Sequence, residues 1–219
     1  MKPAVLTPRV LRQAEAHLVA TDPVMARIIQ QVGRCGLHRS RREDPFTALV
    51  EAIVWQQLST KAAATIYKRL LALFPNGHYP TPAAIIACSD ESMRAAGLSR
   101  AKAIYLRDLA TKVANGTVVL ESIHTLPDDD VVNVMTQVKG IGRWSAEMFL
   151  MFRLLRPDVM PVGDLGIVKA IQRQYRLRKV PTSDRMMRIA TPWRPYRSVA
   201  CWYLWASLDA TPVNADRPS

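Results

Sequence analysis

The sequence predicts an all-α protein. Apolar residues recur at helical spacing, cap residues with Pro or Gly punctuate segment after segment, and no convincing two-residue alternation marks a strand. In order, Phe46, Leu49, Val50, Ile53 and Val54 share a helical face, and Asp44-Pro45 supplies the cap and first-turn proline. Ser59 or Thr60 caps a second helix that groups Tyr67, Leu70, Leu71 and Phe74, with Pro75-Asn76-Gly77 as its stop. Thr81-Pro82 starts a short helix. Ser89 starts another, which Gly97 ends in the left-handed conformation glycine tolerates. Ser99 caps a helix through Val113, closed by Asn115-Gly116, and Leu126-Pro127-Asp128 opens one towards Gln137. After the tight turn Lys139-Gly140-Ile141-Gly142 a helix runs from Arg143 to about Leu155, carrying Trp144, Met148, Met151 and Leu155 on one stripe; Pro157 ends it. A loop precedes a helix from about Leu165. Tyr196 to Leu208 reads as an aromatic-rich helix before a disordered tail, Thr211 to Ser219.

A chain of 219 residues can bury a core as one large domain or as two small lobes. Its 49% hydrophobic and 22% charged residues are those of a globular protein, not a disordered one. No apolar run approaches the roughly 18 residues of a membrane span, and Met1 to Arg12 lacks the apolar core of a signal peptide, so a cytoplasmic location is expected.

Charge narrows the field. Thirty Lys and Arg stand against eighteen Asp and Glu, a net charge of +12 with a pI near 10.1. The bias is concentrated late, with fourteen basic and six acidic residues from Lys139 onwards. Such a field attracts polyanions through phosphate contacts and counterion release. Nucleic acid is the favoured partner, although membrane surfaces and acidic proteins attract basic chains too. Cys35, Cys88 and Cys201 match no zinc pattern and cannot supply the four thiolates of an iron–sulfur cluster. His17, His38, His78 and His124 show no ligand spacing either, so buried reduced thiols and no catalytic metal are expected.

The strongest local motif is Gln137-Val138-Lys139-Gly140-Ile141-Gly142-Arg143 between two helices. Its glycines let the backbone approach another molecule, Ile141 anchors the turn in the core, and Gly142 opens a helix whose free N–H groups suit phosphate. Lys139 and Arg143 add cations on either side. A plain helix–turn–helix corner explains the glycines as well; the basic surroundings favour backbone binding without base reading. A phosphate-binding P-loop is disfavoured because no Gly-Lys-Ser/Thr follows.

Asp164 is a lone acid in the apolar stretch Met160-Pro161-Val162-Gly163-Asp164-Leu165-Gly166-Ile167. Taken alone it reads as an N-cap. An N-cap and a catalytic role are compatible, since a helix N-terminus favours and aims a negative charge. Breaking an N-glycosidic bond builds positive charge on a sugar, and a nearby anion stabilises it and orients the attacking water. Further on, Pro192-Trp193-Arg194-Pro195-Tyr196 leads into Cys201-Trp202-Tyr203-Leu204-Trp205. Aromatics at this density belong by default to the core, but a flipped base needs aromatic walls and a cationic one gains a cation–π term.

These residues resemble the helix–hairpin–helix DNA glycosylase superfamily, and within it the 3-methyladenine DNA glycosylase II (AlkA) branch. The likeness spans about Asp44 to Leu208. It rests on Val54-Trp55-Gln56-Gln57-Leu58-Ser59, Ala96-Gly97-Leu98-Ser99-Arg100-Ala101-Lys102-Ala103, the hairpin through Gly140-Ile141-Gly142-Arg143-Trp144, the Val162-Gly163-Asp164 loop and Pro192-Trp193-Arg194, five motifs in the right order. The resemblance implies two helical lobes with a cleft between them, here 46–156 with the hairpin and 1–45 plus 157–219 from both chain ends. It also implies Asp164 as the essential aspartate. Trp202, with Tyr203 beside it, Trp144 and Met148 are the implied base pocket. Leu58, flanked by Gln57 and Ser59, is the wedge that enters the duplex. The hairpin residues Lys139, Gly140, Ile141, Gly142 and Arg143 hold DNA, and the backbone carbonyls of Thr136, Val138 and Ile141 hold a sodium or potassium ion.

Departures sharpen the expectation. Bifunctional relatives carry a lysine where this chain has Trp144, so base removal without lyase activity is expected. Gly163 replaces a second acid of many relatives, and Met148 stands where some carry a pocket tyrosine. The expected reaction is Asp164-assisted hydrolysis releasing alkylated bases of the 3-methyladenine or 7-methylguanine type from duplex DNA, by a monomer. The rivals are a glycosylase of the same fold acting on uracil or deaminated bases, and a catalytically silent module that binds damaged DNA.

Overall fold

A computed structural model of the chain describes residues 3–37, 44–74 and 79–209. The Pro75-Asn76-Gly77 stop, the Thr211–Ser219 tail, His38 and His78 lie outside the described residues. The fold is all-α: twelve α-helices and no strand among the described residues. No helix there is long and apolar enough to cross a membrane. The chain divides into two compact units, Arg41–Ala146 with the first three residues, and Ala4–Ser40 with Glu147–Ser219.

The first unit is built from α3 (Pro45–Trp55), α4 (Thr60–Leu71), α5 (Pro82–Ala87), α6 (Asp90–Ala95), α7 (Arg100–Ala114), α8 (Asp128–Met135) and the first residues of α9 (Arg143–Phe152). The caps are as the sequence implied. Asp44, Ser59, Thr81, Ser89 and Ser99 each place a side-chain oxygen on a first-turn N–H, each contact worth about 1 kcal/mol. Helix α3 is apolar on nearly every side, and Phe46, Ala48, Leu49, Val50, Ile53 and Val54 are all buried. Helix α7 packs against α3, α5 and α6 and is the beam on which this unit rests.

The second unit contains α1 (Pro8–Thr21), α2 (Pro23–Val32), the remainder of α9, α10 (Leu165–Gln174), α11 (Ser183–Ile189) and α12 (Arg197–Asp209). Helix α12 packs on α1, α2 and α10, and its Val199, Ala200, Cys201, Tyr203 and Leu204 are fully buried. Asp22 shows what a structural carboxylate looks like here. Its Oδ1 caps α2 through Val24 and Met25, while its Oδ2 accepts from Trp193 Nε1 at 2.8 Å and Tyr175 Oη at 2.5 Å. Burial, then the bond to Asp22, pushes the Tyr175 phenol up. Helix α9 ends at Phe152, short of the expected Leu155, which sits at φ 52 in the turn that follows.

Candidate active site

In the second unit the loop before α10 is held from both sides. Arg197 grips Asp158 through Nε at 2.6 Å and Nη2 at 2.9 Å, and Ser198 Oγ accepts from the Val159 N–H at 2.9 Å. This fastens the start of α12 to the segment that delivers Asp164. Asp164 is the N-cap of α10 and only 9% exposed. Its Oδ1 accepts from the Ile167 N–H at 2.8 Å and from the indole N–H of Trp205 at 2.8 Å. Two donors thus converge on one oxygen and fix the carboxylate's rotation as well as its position. Trp205 is itself held by stacking on Phe152, with ring centroids 5.8 Å apart and 30° between planes. Gly166 leaves room for this arrangement. A Cβ there would lie 2.9 Å from Trp205 Cδ1 and 3.0 Å from Asp164 Oδ1, closer than packing tolerates.

The aromatic bonded to the aspartate is Trp205, whereas Trp202 is the one expected in the base pocket. Both lie on α12, three residues apart, and sequence alone does not say which faces Asp164. Trp202 is half-buried, packed against Gly36 and edge-on to Tyr203 with centroids 5.1 Å apart. Tyr203, expected at the pocket, is instead a core residue. It is 0% exposed, and its hydroxyl lies 2.7 Å from Glu15 Oε1 and 2.8 Å from the Gly33 carbonyl. Met148 is half-buried on α9, and Glu147 beside it in sequence is buried. The cysteines are free thiols; Cys35 and Cys201 are buried and Cys88 is half-buried, more open than expected. Burial pushes Cys35 up to about 12, and burial followed by the charge of Asp164 pushes Cys201 up, so neither suits a thiolate nucleophile.

The first unit contains the other residues singled out in the sequence. Between α3 and α4 the backbone reverses at Gln57, which adopts φ 55, and Leu58 stands 38% exposed in the bend ahead of the Ser59 cap. In the hairpin, Val138 and Ile141 are buried anchors while Lys139, Gly140, Gly142 and Arg143 are exposed. Gly140 has φ 80, and a Cβ there would meet the Tyr105 ring at 2.2 Å, so the turn is possible only with glycine. The Gly142 carbonyl accepts from Ala146 N–H at 3.1 Å, making Gly142 the N-cap of α9. Trp144, on the first turn of α9, is 47% exposed. The Val138 carbonyl accepts one N–H, from Ile141 at 3.1 Å, and a side chain at Gly142 would meet nothing within 4 Å. Among the described residues no group of three or more His, Cys, Asp or Glu is placed to hold a metal ion.

Sequence reasoning passed over the residues that hold this edge in place. Lys102 Nζ donates to the carbonyls of Val54 at 2.7 Å and Gln56 at 2.8 Å. Gln56 Nε2 donates to the Gly140 carbonyl at 2.9 Å. Asp108 Oδ2 accepts from the Lys139 N–H and from Lys112 Nζ, both at 2.8 Å, and Lys112 also reaches the Gln137 carbonyl. Burial raises Asp108, but the bonds from Lys112 and Lys139 more than offset that, leaving its carboxyl below the usual range.

The model of the HhH-GPD superfamily of base excision DNA repair proteins matches residues 50–195. DNA-3-methyladenine glycosylase 1 of Schizosaccharomyces pombe is 37% identical over 197 residues, which cover 89% of this chain and 86% of that protein. A solved 3-methyladenine DNA glycosylase from the same yeast, in complex with abasic DNA, superposes with a TM-score of 0.78 at 35% identity, covering 90% of this chain and 97% of that one. The DNA-3-methyladenine glycosidase of Bacillus halodurans gives a TM-score of 0.79 at 34% identity, covering 92% and 89%.

Proposed function

The chain belongs to the HhH-GPD superfamily of base excision DNA repair proteins, and on that premise we propose that it is a monofunctional DNA glycosylase that releases alkylated bases from duplex DNA. The observation that carries the reading is the buried Asp164, clamped on one oxygen by the α10 backbone and the Trp205 indole. Excision breaks the N-glycosidic bond, with its electron pair leaving on the base. Positive charge develops on the sugar, where the Asp164 carboxylate stabilises it and orients the water that adds at the anomeric carbon. A cationic alkylpurine leaves as a neutral base, so the mechanism needs no strong general acid. Trp205, whose polar edge is committed to Asp164, offers its π face to a cationic base. Relatives named for 3-methyladenine support that substrate class.

The first unit supplies the grip. The exposed turn Lys139-Gly140-Ile141-Gly142-Arg143 binds phosphate through backbone N–H groups and two cations, without reading sequence. The carbonyls of Thr136, Val138 and Ile141 would hold a sodium or potassium ion, which adds positive charge beside a phosphate. Leu58 fills the gap left by the extruded base. Trp144 stands in place of an amine nucleophile, so the product is an abasic site in an unbroken strand. A single lesion engages a single chain, and the working form is a monomer.

The test is to incubate the purified protein with duplex DNA methylated at random by a simple alkylating agent and to separate released bases by chromatography. Free 3-methyladenine or 7-methylguanine, with strands intact, is the expected result. Release of uracil or hypoxanthine instead would overturn the substrate assignment, and release of nothing would overturn the reaction.

A further inference from the structure

We propose that Lys102 is a positioning residue for base extrusion: by capping the C-terminus of α3 it holds the Gln57–Leu58 bend out as a preformed wedge, in fixed register with the hairpin. The inference rests on the excision reading above and assigns a role in it to a side chain remote from the chemistry.

The last carbonyls of a helix have no partners within it, and they present partial negative charge. An ammonium group satisfies them with up to three donors. Lys102 does this for Val54 and Gln56, the two carbonyls between which α3 ends at Trp55. The very next residue, Gln57, takes φ 55, a conformation uncommon for a residue with a side chain. Leu58, immediately after it, is left 38% exposed. A backbone in a disfavoured conformation persists when its surroundings over-determine it, and here the clamp sits one residue before the reversal. Burial lowers the Lys102 ammonium from its usual range.

The same helix face supports the hairpin. Tyr105, three residues after Lys102, lies under Gly140; Asp108 takes the Lys139 N–H, and Lys112 takes the Gln137 carbonyl. Spacings of three and four put these residues on one side of α7. Gln56 closes the arrangement by bonding the Gly140 carbonyl directly. Wedge and phosphate-binding turn thus rest on one beam, with their separation set before DNA arrives. Such preorganisation lowers the cost of extrusion because the loop need not be ordered during binding.

The experiment compares wild type, Lys102→Met, Lys102→Arg, Leu58→Ala and the Lys102→Met/Leu58→Ala pair on one methylated lesion, in an intact duplex and in a mismatched bubble where the base is already unstacked. Methionine keeps the apolar stem without the donors, and thermal unfolding confirms that each variant is folded. Lys102→Met should slow release from intact duplex about ten- to a hundredfold and release from the bubble less than about threefold. Adding Leu58→Ala should cost little more, because both changes remove one function, and Lys102→Arg should recover part of the loss. Equal losses on both substrates, or additive losses in the pair, would overturn the proposal. Fluorescence of 2-aminopurine beside an abasic analogue reports unstacking by binding alone. It should rise with wild type and stay low with Lys102→Met, so the wedge is judged even if no base is released. A normal rise with Lys102→Met would overturn the proposal.

Discussion

The indole N–H of Trp205 donates to Oδ1 of Asp164 at 2.8 Å, the same oxygen that receives the Ile167 N–H at 2.8 Å. This places the carboxylate in the class of side chains aimed by a scaffold. It also contrasts with Asp22, whose two oxygens together take four donors and tie α2 to Tyr175 and Trp193.

Trp205→Phe tests the aiming directly. Phenylalanine retains an aromatic face against Phe152 but has no N–H, so Asp164 loses a charge-assisted hydrogen bond worth about 1.5–3 kcal/mol. Single-turnover release should fall about tenfold or more at saturating protein, with lesion-DNA affinity changed only a few-fold. An unchanged rate would show that the Trp205 bond is not needed to hold the carboxylate.

Gly166→Ala separates helix propensity from function. In an ordinary helix interior this change is favourable by about 1 kcal/mol. At Gly166 the new Cβ would sit 3.0 Å from both Asp164 Oδ1 and Trp205 Nε1 and push the pair apart. Base release should drop at least about tenfold, while thermal stability fails to rise. A more stable, fully active variant would contradict the geometry.

Asp108 gives the hairpin a pH dependence. Its folded-state value lies below the ordinary 3.8, so its contribution to stability is complete above 3.8 and is lost as pH falls through the lowered value. Relative to Asp108→Asn, wild type should unfold about 2–4 °C higher at neutral pH, for a difference of about 1 kcal/mol. That advantage should vanish in acid below the folded value. A difference that grows on acidification would have the wrong sign.

Local signals carried most of the fold. Ser99 and Asn115-Gly116 bracket α7 correctly, and Asp164 caps α10 as its position implies. Helices α1 and α2 are not among those predicted, although Thr7-Pro8 and Asp22-Pro23 carry the same cap-and-proline signal as Asp44-Pro45. The choice between Trp202 and Trp205 was not legible because α12 is apolar on nearly all sides, so its pattern does not mark the face that meets Asp164. The burial of Tyr203 is not legible locally either, since its partners Glu15 and Gly33 are more than a hundred residues away in sequence. Lys102 lies within the Ala96–Ala103 motif. Its partners are 46 and 48 residues distant, a pairing that only the packing of α7 on α3 creates.

The proposed role of Asp164 is tested by removing its charge alone. Asp164→Asn keeps the side chain's size and one oxygen acceptor for the Ile167 and Trp205 donors, and removes the charge. Single-turnover release of 3-methyladenine from methylated duplex, measured beside affinity for abasic-site DNA, tests this most directly. The account predicts a loss of release of at least about a hundredfold, with affinity within a few-fold of wild type. Release at the wild-type rate would contradict it and move the search for the catalytic group elsewhere in the chain.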